Sequence, residues 1–101
     1  MAVNLKAITS SLGYQQITSL GSAANLTVPA RDKMGNKQQA TIALITPEAQ
    51  AVRWRDDGVA PTSTVGMPLA VGVTLQYDGD LTNIKFIEQA SGAKINISYY
   101  A

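Results

Sequence analysis

The adjacent aspartates Asp56 and Asp57 are the first residues of this sequence that could share acid–base work or hold a divalent cation. They follow a stretch in which polar and apolar residues alternate, as they do in a β-strand. Neighbouring residues on a strand point to opposite faces, so the two carboxylates converge only if a turn bends them together. We therefore interpret the pair as turn residues that form an ion pair with Arg53 or Arg55 and cap the turn at Gly58.

A second carboxylate pair, Asp78 and Asp80, flanks Gly79 as at the start of a calcium-binding loop. A calcium loop needs several more oxygen ligands at fixed offsets and a distal glutamate. Glu88 comes ten residues after Asp78, and hydrophobic strand residues lie between them. The spacing therefore predicts an ordinary turn over residues 78–80 and no metal site.

Nucleophilic catalysis has little basis in this composition. The sequence contains no histidine and no cysteine, which removes the commonest general base, the commonest metal ligand and any disulfide. Thr62, Ser63 and Thr64 carry hydroxyl groups, but no lysine stands at a spacing that would activate them. We expect a protein that is not an enzyme, with no catalytic residue, no cofactor and no bound metal.

Net charge and the length of the apolar runs argue against two further classes of function, nucleic-acid binding and membrane insertion. Eight basic and seven acidic residues give a net charge of +1, so the sequence has no basic patch for nucleic acid. No apolar run approaches the roughly 18 residues of a membrane span, and the first residues do not resemble a signal peptide. Charged residues make up only 15%, against about 25% in typical domains, and a subunit surrounded by neighbours would tolerate such a surface. We expect synthesis in the cytoplasm and no contact with nucleic acid or membrane.

The elements that must position these residues are predicted to be short β-strands. Turn signals recur every 8–12 residues, and no amphipathic helix of ten residues is present, which is typical of a sandwich, jelly roll or small barrel. The 101 residues suit one domain. We predict a single all-β domain over residues 1–101, a β-sandwich of jelly-roll type with seven to eight strands. Residues 1–13 are expected to form a short strand or a flexible N-terminal arm. The predicted strands cover residues 14–20, 24–28, 38–45, 51–56, 71–77, 84–88 and 93–100.

Alternation along these strands also predicts the connections and the core. Residues 46–48 are expected to be a turn, residues 31–37 an exposed loop, and Ser91-Gly92 a hairpin-type turn. Of the two terminal tyrosines, Tyr99 should face inward and Tyr100 outward, since adjacent strand residues cannot share a face. The predicted core consists of Ile17, Leu26, Val28, Ile42, Leu44, Val52, Trp54, Val73, Leu75, Ile84, Phe86, Ile95 and Ile97.

Three segments carry a resemblance to a known group of proteins. They are Arg-Trp-Arg-Asp-Asp-Gly-Val-Ala-Pro-Thr at residues 53–62, Val-Gly-Met-Pro-Leu at 65–69 and Ile-Asn-Ile-Ser-Tyr-Tyr at 95–100. Together they resemble small virion proteins of tailed bacteriophages and prophages, β-domains of roughly 100 residues that are described as structural. The resemblance covers about residues 42–100. It implies a component of the virus particle without indicating where in the particle it lies.

An all-β domain with few charges, exposed strand edges and Gly- and Pro-rich loops can associate with neighbouring subunits. Within the virion class we therefore expect first a capsid cement or decoration protein that binds between subunits of the major capsid protein and stabilises the head. A symmetric homo-oligomer is expected, with a trimer as the first choice. Two alternatives stay open: a neck, tail or head-fibre base component, and a receptor- or carbohydrate-binding module. The low aromatic content of 6% counts against the last. The candidate contact residues are Lys33, Lys37, Arg53, Trp54, Arg55, Asp57, Pro61, Met67 and Tyr100.

The role of Trp54 is left between two interpretations. As the only tryptophan, on a strand between two arginines, it could fill the core opposite their side chains or form a hot spot in a contact between subunits.

Overall fold

The computed structural model describes residues 10–31, 35 and 37–101, and every regular element in these residues is a β-strand. Lys33 and residues 1–9 of the predicted arm lie outside the described residues. Residues 11–13 belong to the first strand and not to an arm. The eight strands are β1 (Ser11–Ile17), β2 (Ala24–Asn25), β3 (Ile42–Glu48), β4 (Val52–Arg55), β5 (Met67–Leu69), β6 (Leu75–Tyr77), β7 (Lys85–Glu88) and β8 (Lys94–Tyr100).

The strands form two antiparallel sheets of four. Sheet 1 has the order β1-β8-β3-β6, and sheet 2 has the order β2-β7-β4-β5. The pairs β1·β8, β2·β7, β3·β6 and β4·β5 are nested along the chain, as in one long hairpin whose successive parts are rolled alternately into two sheets. This is the arrangement of a jelly roll, which confirms the predicted all-β sandwich.

The core lies between the two sheets, because each sheet directs alternate residues inward. Sheet 1 contributes Ile95, Ile97 and Tyr99, and sheet 2 contributes Val52 and Phe86; all five side chains are buried. Burying such side chains is the main favourable term in folding, on the order of 1.5–3 kcal/mol for each aliphatic or phenylalanine side chain. The remaining buried apolar residues are Leu12, Leu20, Leu26, Ala40, Ala43, Ile45, Leu69, Leu81, Ile84 and Ala93.

The predicted inward face of β3 is wrong. Ala43 and Ile45 are buried, while Ile42 and Leu44 are only partly buried and face outward. Both faces of this strand are apolar, so alternation alone could not distinguish them. The register with β8 decides, because Ile45 lies opposite the buried Ile97 and therefore shares its face.

The turn predicted at residues 46–48 is also wrong, since these residues end β3 and Pro47 is fully buried. A proline can occupy a strand only where its missing N–H is not needed. The carbonyl of Pro47 accepts a bond from Gly72 N at 3.0 Å, on the side away from β8. The N–H and the C=O of one strand residue point to the same side of the strand. The N–H that Pro47 lacks would therefore also point away from β8, beyond the end of β6.

Two further predictions about the second half of the chain need correction. The strand predicted over 71–77 is reduced to Leu75–Tyr77, because Gly72 has φ of +79° in a turn and Val73 is exposed. The turn at residues 91–92 exists, but it is not a hairpin, because β7 and β8 belong to different sheets.

Candidate functional site

The β4–β5 loop, residues 56–66, is held in place by the side chain of Arg53 on β4. Arg53 Nη1 donates to the carbonyl of Gly66 at 2.8 Å, and Nε donates to the carbonyl of Ser63 at 3.2 Å. A planar guanidinium presents its N–H donors in a fixed arrangement, so Arg53 can make both bonds at once. The candidate contact residue Arg53 therefore ties both the middle and the end of the loop to the sheet.

Gly66 allows the end of the loop to pass close to β4. Its φ is +143°, and a Cβ at this position would lie 3.2 Å from Arg53 Cβ, Pro61 Cβ and the Trp54 carbonyl oxygen. Any larger residue would push the loop away from the strand. Pro61 is buried, so this candidate contact residue packs inside the loop and offers little surface to a partner.

The tip of the loop closes on itself. Thr62 N donates to the Val65 carbonyl at 2.9 Å, and Val65 N donates to Thr62 Oγ1 at 3.0 Å. A threonine hydroxyl that satisfies a nearby backbone donor stabilises a turn in this way. The Thr62 hydroxyl is therefore engaged in a hydrogen bond that stabilises the turn.

Arg55 and Asp57 form a two-bonded ion pair at the start of the loop. Arg55 Nε donates to Asp57 Oδ1 at 3.0 Å, and Nη2 donates to Oδ2. The hydrogen bond from Arg55 is the main cause that lowers the pKa of Asp57, and the same bond raises the pKa of Arg55. The predicted ion pair and turn are therefore confirmed, with Gly58 at φ of +85° in the turn.

Asp56 takes part in a different contact, which joins the ends of the two sheets. Its Oδ2 accepts a bond from the Tyr77 hydroxyl at 2.7 Å, and its carbonyl accepts a bond from Asn83 Nδ2 at 2.6 Å. Burial, followed by this hydrogen bond and the charge of Asp56, raises the pKa of Tyr77 to about 12. Asp56 and Asp57 thus have separate partners and do not converge on a common atom.

Trp54 packs against the core and is partly buried. Its ring meets that of Tyr77 edge to face, with centroids 5.9 Å apart and an interplanar angle of 66°. Such pairs contribute about 0.5–1.5 kcal/mol beyond the area that they bury. The core interpretation of Trp54 is therefore supported, and its ring links sheet 2 to β6 of sheet 1.

Together these residues leave an open cleft of about 240 Å³ beside the loop. Val65 and Met67 in its wall are exposed by 53% and 56%, and Val59, elsewhere in the same loop, is exposed by 52%. The charged groups in its wall already have partners within the chain, so the cleft offers apolar surface more than free charge. We call it the loop cleft; it is lined by Arg55, Asp56, Asp57, Val65, Gly66 and Met67.

The edge of sheet 2 next to the loop cleft is poorly suited to pairing with another strand. Pro68 lies opposite Arg53 in the register of β5 with β4. A proline in an edge strand must turn its missing N–H away from its neighbour, so the outward edge lacks a donor there. A partner at this end would have to bind through side chains.

Two further candidate contact residues within the described part of the chain, Lys37 and Tyr100, do not line the loop cleft. Lys37 is exposed and forms a backbone bridge with Arg31, at the two ends of the segment predicted as an exposed loop, residues 31–37. Tyr100 faces outward on β8, and its hydroxyl accepts a bond from Ser98 Oγ at 3.1 Å. Val59 and Val65 are not among the predicted contact residues, although two valines in a Gly- and Pro-rich loop could have suggested exposed apolar contacts.

The carboxylates of the other turn have a local structural role. Asp80 Oδ1 accepts bonds from Thr82 Oγ1 at 2.7 Å and from Thr82 N at 3.1 Å, which confirms a plain turn. In the part of the chain that the structure describes, no group of three or more acidic, histidine or cysteine residues could hold a metal ion. Likewise, these residues contain no helix that could span a membrane.

Comparison with known proteins adds no relative. No family model matches the sequence, and no significant match is found among curated proteins or solved structures.

Proposed function

We propose that this protein is a non-enzymatic virion structural protein of a tailed bacteriophage or prophage. Within the particle we propose a cement protein that binds between subunits of the major capsid protein. The resemblance of residues 53–62, 65–69 and 95–100 to small virion proteins supports the first statement. The loop cleft supports the second, because it presents apolar side chains beside a loop whose shape is already fixed by bonds within the chain.

The observation that carries the proposal is the combination of a fixed loop with exposed apolar side chains. Arg53 binds two carbonyls of the loop, and Val59, Val65 and Met67 are each about half exposed. A loop that is already ordered loses less conformational freedom on binding than a mobile one.

The expected strength of a single contact fits a cement protein. Covering the exposed parts of three apolar side chains contributes roughly 1 kcal/mol each, which is too little to hold one copy on one subunit. A protein that touches several subunits at once binds the assembled lattice much more firmly than the free subunit. Since it then binds the assembled state alone, it stabilises that state by mass action at every site.

The test is attachment to particles of the phage that encodes the chain. Quantitative mass spectrometry of purified particles should find it in hundreds of copies, as expected for a shell component. About a dozen copies would instead indicate a neck, tail or fibre-base position. Absence from the particles would overturn the proposal.

A charge in the loop cleft should then prevent attachment. We expect Met67→Asp to lower occupancy of the particle at least tenfold while leaving the fold intact, because Met67 is exposed. Val71→Asp is the matched control, since Val71 is similarly exposed but lies outside the loop cleft. Equal attachment of both variants would show that the loop cleft is not the contact.

A further inference from the structure

The outer face of sheet 1 is almost free of charge. Among the residues of β1, β3, β6 and β8, only Glu48 and Lys94 are charged, and these two lie opposite each other at one end of the face. The outer face of sheet 2 is different, because it carries Arg53, Arg55 and Lys85 on two short strands. A solvated sheet face normally has alternating polar and charged side chains.

The uncharged face contains aliphatic and aromatic side chains. Ile42 and Leu44 face outward on β3, and Tyr100 lies opposite Ile42 on β8. Tyr14 on β1 lies opposite Ser98 and is 66% exposed, more than any other large apolar residue described. Tyrosine is enriched where proteins meet, because its ring covers much area and its hydroxyl stays bonded.

Several polar groups of this face are already paired within the chain. Asn96 Oδ1 accepts bonds from the Tyr14 hydroxyl and, at 2.9 Å, from Gln16 Nε2. Asn96 Nδ2 donates to Glu48 Oε1 at 3.0 Å. Because each of these groups keeps a partner, covering the face would leave fewer unsatisfied polar atoms than covering an ordinary polar surface. The network also holds the Tyr14 side chain in one position.

We infer that two copies of this chain pair through the outer face of sheet 1, around a two-fold axis. A two-fold contact places the same patch on itself, so any excess of one charge would meet its like. Sheet 1 avoids this, whereas two copies of the outer face of sheet 2 would bring their cations together. The pairing would stack two sheets about 10 Å apart with their side chains interdigitated.

The size of the face predicts a weak pair. Three strands of seven residues and one of three, about 4.8 Å apart, give a flat area of roughly 380 Å² per partner. A standard stable interface buries about 800 Å² per partner, so this contact belongs to the weak class. We expect a Kd in the micromolar range. The inference does not depend on the proposed function, since it concerns the purified chain alone.

Sedimentation velocity across protein concentrations from about 1 to 200 µM tests the pairing. The full chain should shift from the mass of a monomer to that of a dimer. Leu44→Lys places like charges across the two-fold axis and should raise the dimer Kd at least tenfold. Ile87→Lys is the matched control, because Ile87 lies beside Arg53 on the outer face of sheet 2, and should leave the dimer unchanged.

A second variant keeps the test decisive if Leu44→Lys fails to fold. Tyr14→Ser alters an exposed side chain, so the fold should persist by circular dichroism while the dimer weakens. A chain that stays monomeric at all concentrations, or that forms a trimer, overturns the inference. A dimer that neither variant weakens overturns the assignment of the face. The chain could instead stay monomeric, with hydrogen exchange at the β1 amides slowed only when a neutral oligosaccharide is added. That result would show that the face binds glycan and not a second copy.

Discussion

Arg53 and Gly66 together determine how the β4–β5 loop lies on sheet 2. The guanidinium of Arg53 binds the carbonyls of Ser63 and Gly66, and the absence of a side chain at Gly66 lets that carbonyl come within reach. Each charged residue from Arg53 to Asp57 has a hydrogen-bond partner within the chain. The hydrogen bonds made by these residues therefore fix the conformation of the β4–β5 loop.

Gly66→Ala should lower the free energy of unfolding by about 2–4 kcal/mol. The cost combines a backbone conformation unfavourable to side chains with close contacts at 3.2 Å to Arg53, Pro61 and Trp54. Gly58→Ala is the control, because its φ is also positive but no atom lies within 4 Å; it should cost about 1 kcal/mol. Urea denaturation measures both, and equal losses would contradict the close approach at Gly66.

The stability of the protein should fall as pH rises from about 10 to 12. An unfolded tyrosine ionises near pH 10, whereas burial and Asp56 raise the pKa of Tyr77 to about 12 in the folded chain. Between these values the unfolded state has lost a proton that the folded state keeps, so rising pH favours unfolding. Below pH 10 the tyrosine is protonated in both states and contributes no slope.

Tyr77→Phe should therefore reduce the slope of stability against pH between 10 and 12. Asp56→Asn should lower the Tyr77 pKa only in part, because burial is the larger cause of its shift. Ultraviolet absorbance of ionised tyrosine, followed with pH, measures the titration directly. An unchanged slope in Tyr77→Phe would assign the alkaline loss to other groups.

At the scale of the elements, β4 connects the loop to the core. Its alternation puts Val52 and Trp54 on the inward face and the two arginines outward. Tyr77 on β6 meets the Trp54 ring from sheet 1, so the two sheets are joined at this end by an aromatic pair. The loop is therefore attached to a strand, β4, whose inward side chains are packed in the core.

Trp54→Ala should cost about 3 kcal/mol of stability, at the lower end for truncation of a large core residue, because the ring is only partly buried. Thermal and urea denaturation measure this loss. Val65→Ala, which truncates an exposed side chain, is the control and should change stability little. If Trp54→Ala melted normally but no longer attached to particles, Trp54 would be a contact residue and not a core residue.

At the scale of the whole molecule, the nested order of strand pairs brings the first described strand against the last one. Ser11 pairs with Tyr100 across almost the full sequence, and β2·β7 and β3·β6 lie inside that pair. Contacts between distant residues must overcome the entropy of closing long loops. Proteins with this kind of topology fold slowly for their size.

Refolding should accordingly take milliseconds to seconds, not microseconds. Stopped-flow fluorescence of Trp54, the single tryptophan, would follow it after dilution from urea. Val52→Ala changes a core residue on the same strand as Trp54. The fraction of its loss of stability that appears as slower folding would show whether β4 forms early. Refolding in microseconds would contradict a fold built mainly on distant pairs.

The amino-acid sequence by itself determined the fold class, because strand alternation and turn residues are local properties. Val52, Phe86, Ile95 and Ile97 were correctly assigned to the core, since one face of each strand is clearly more apolar than the other. The turn and ion-pair roles of Asp57 and Asp80 were also predictable, because each carboxylate bonds to a residue two positions away.

Only the tertiary structure decided the inward face of β3, the place of Pro47 within a strand and the separation of β7 from β8. Each depends on which strand lies beside which, and pairing between distant segments leaves no local trace in the sequence. The same holds for the contact surfaces. Val65 and Met67 become neighbours of Asp56 only when Arg53 folds the loop back, and Tyr14 meets Asn96 only because the first and last strands pair.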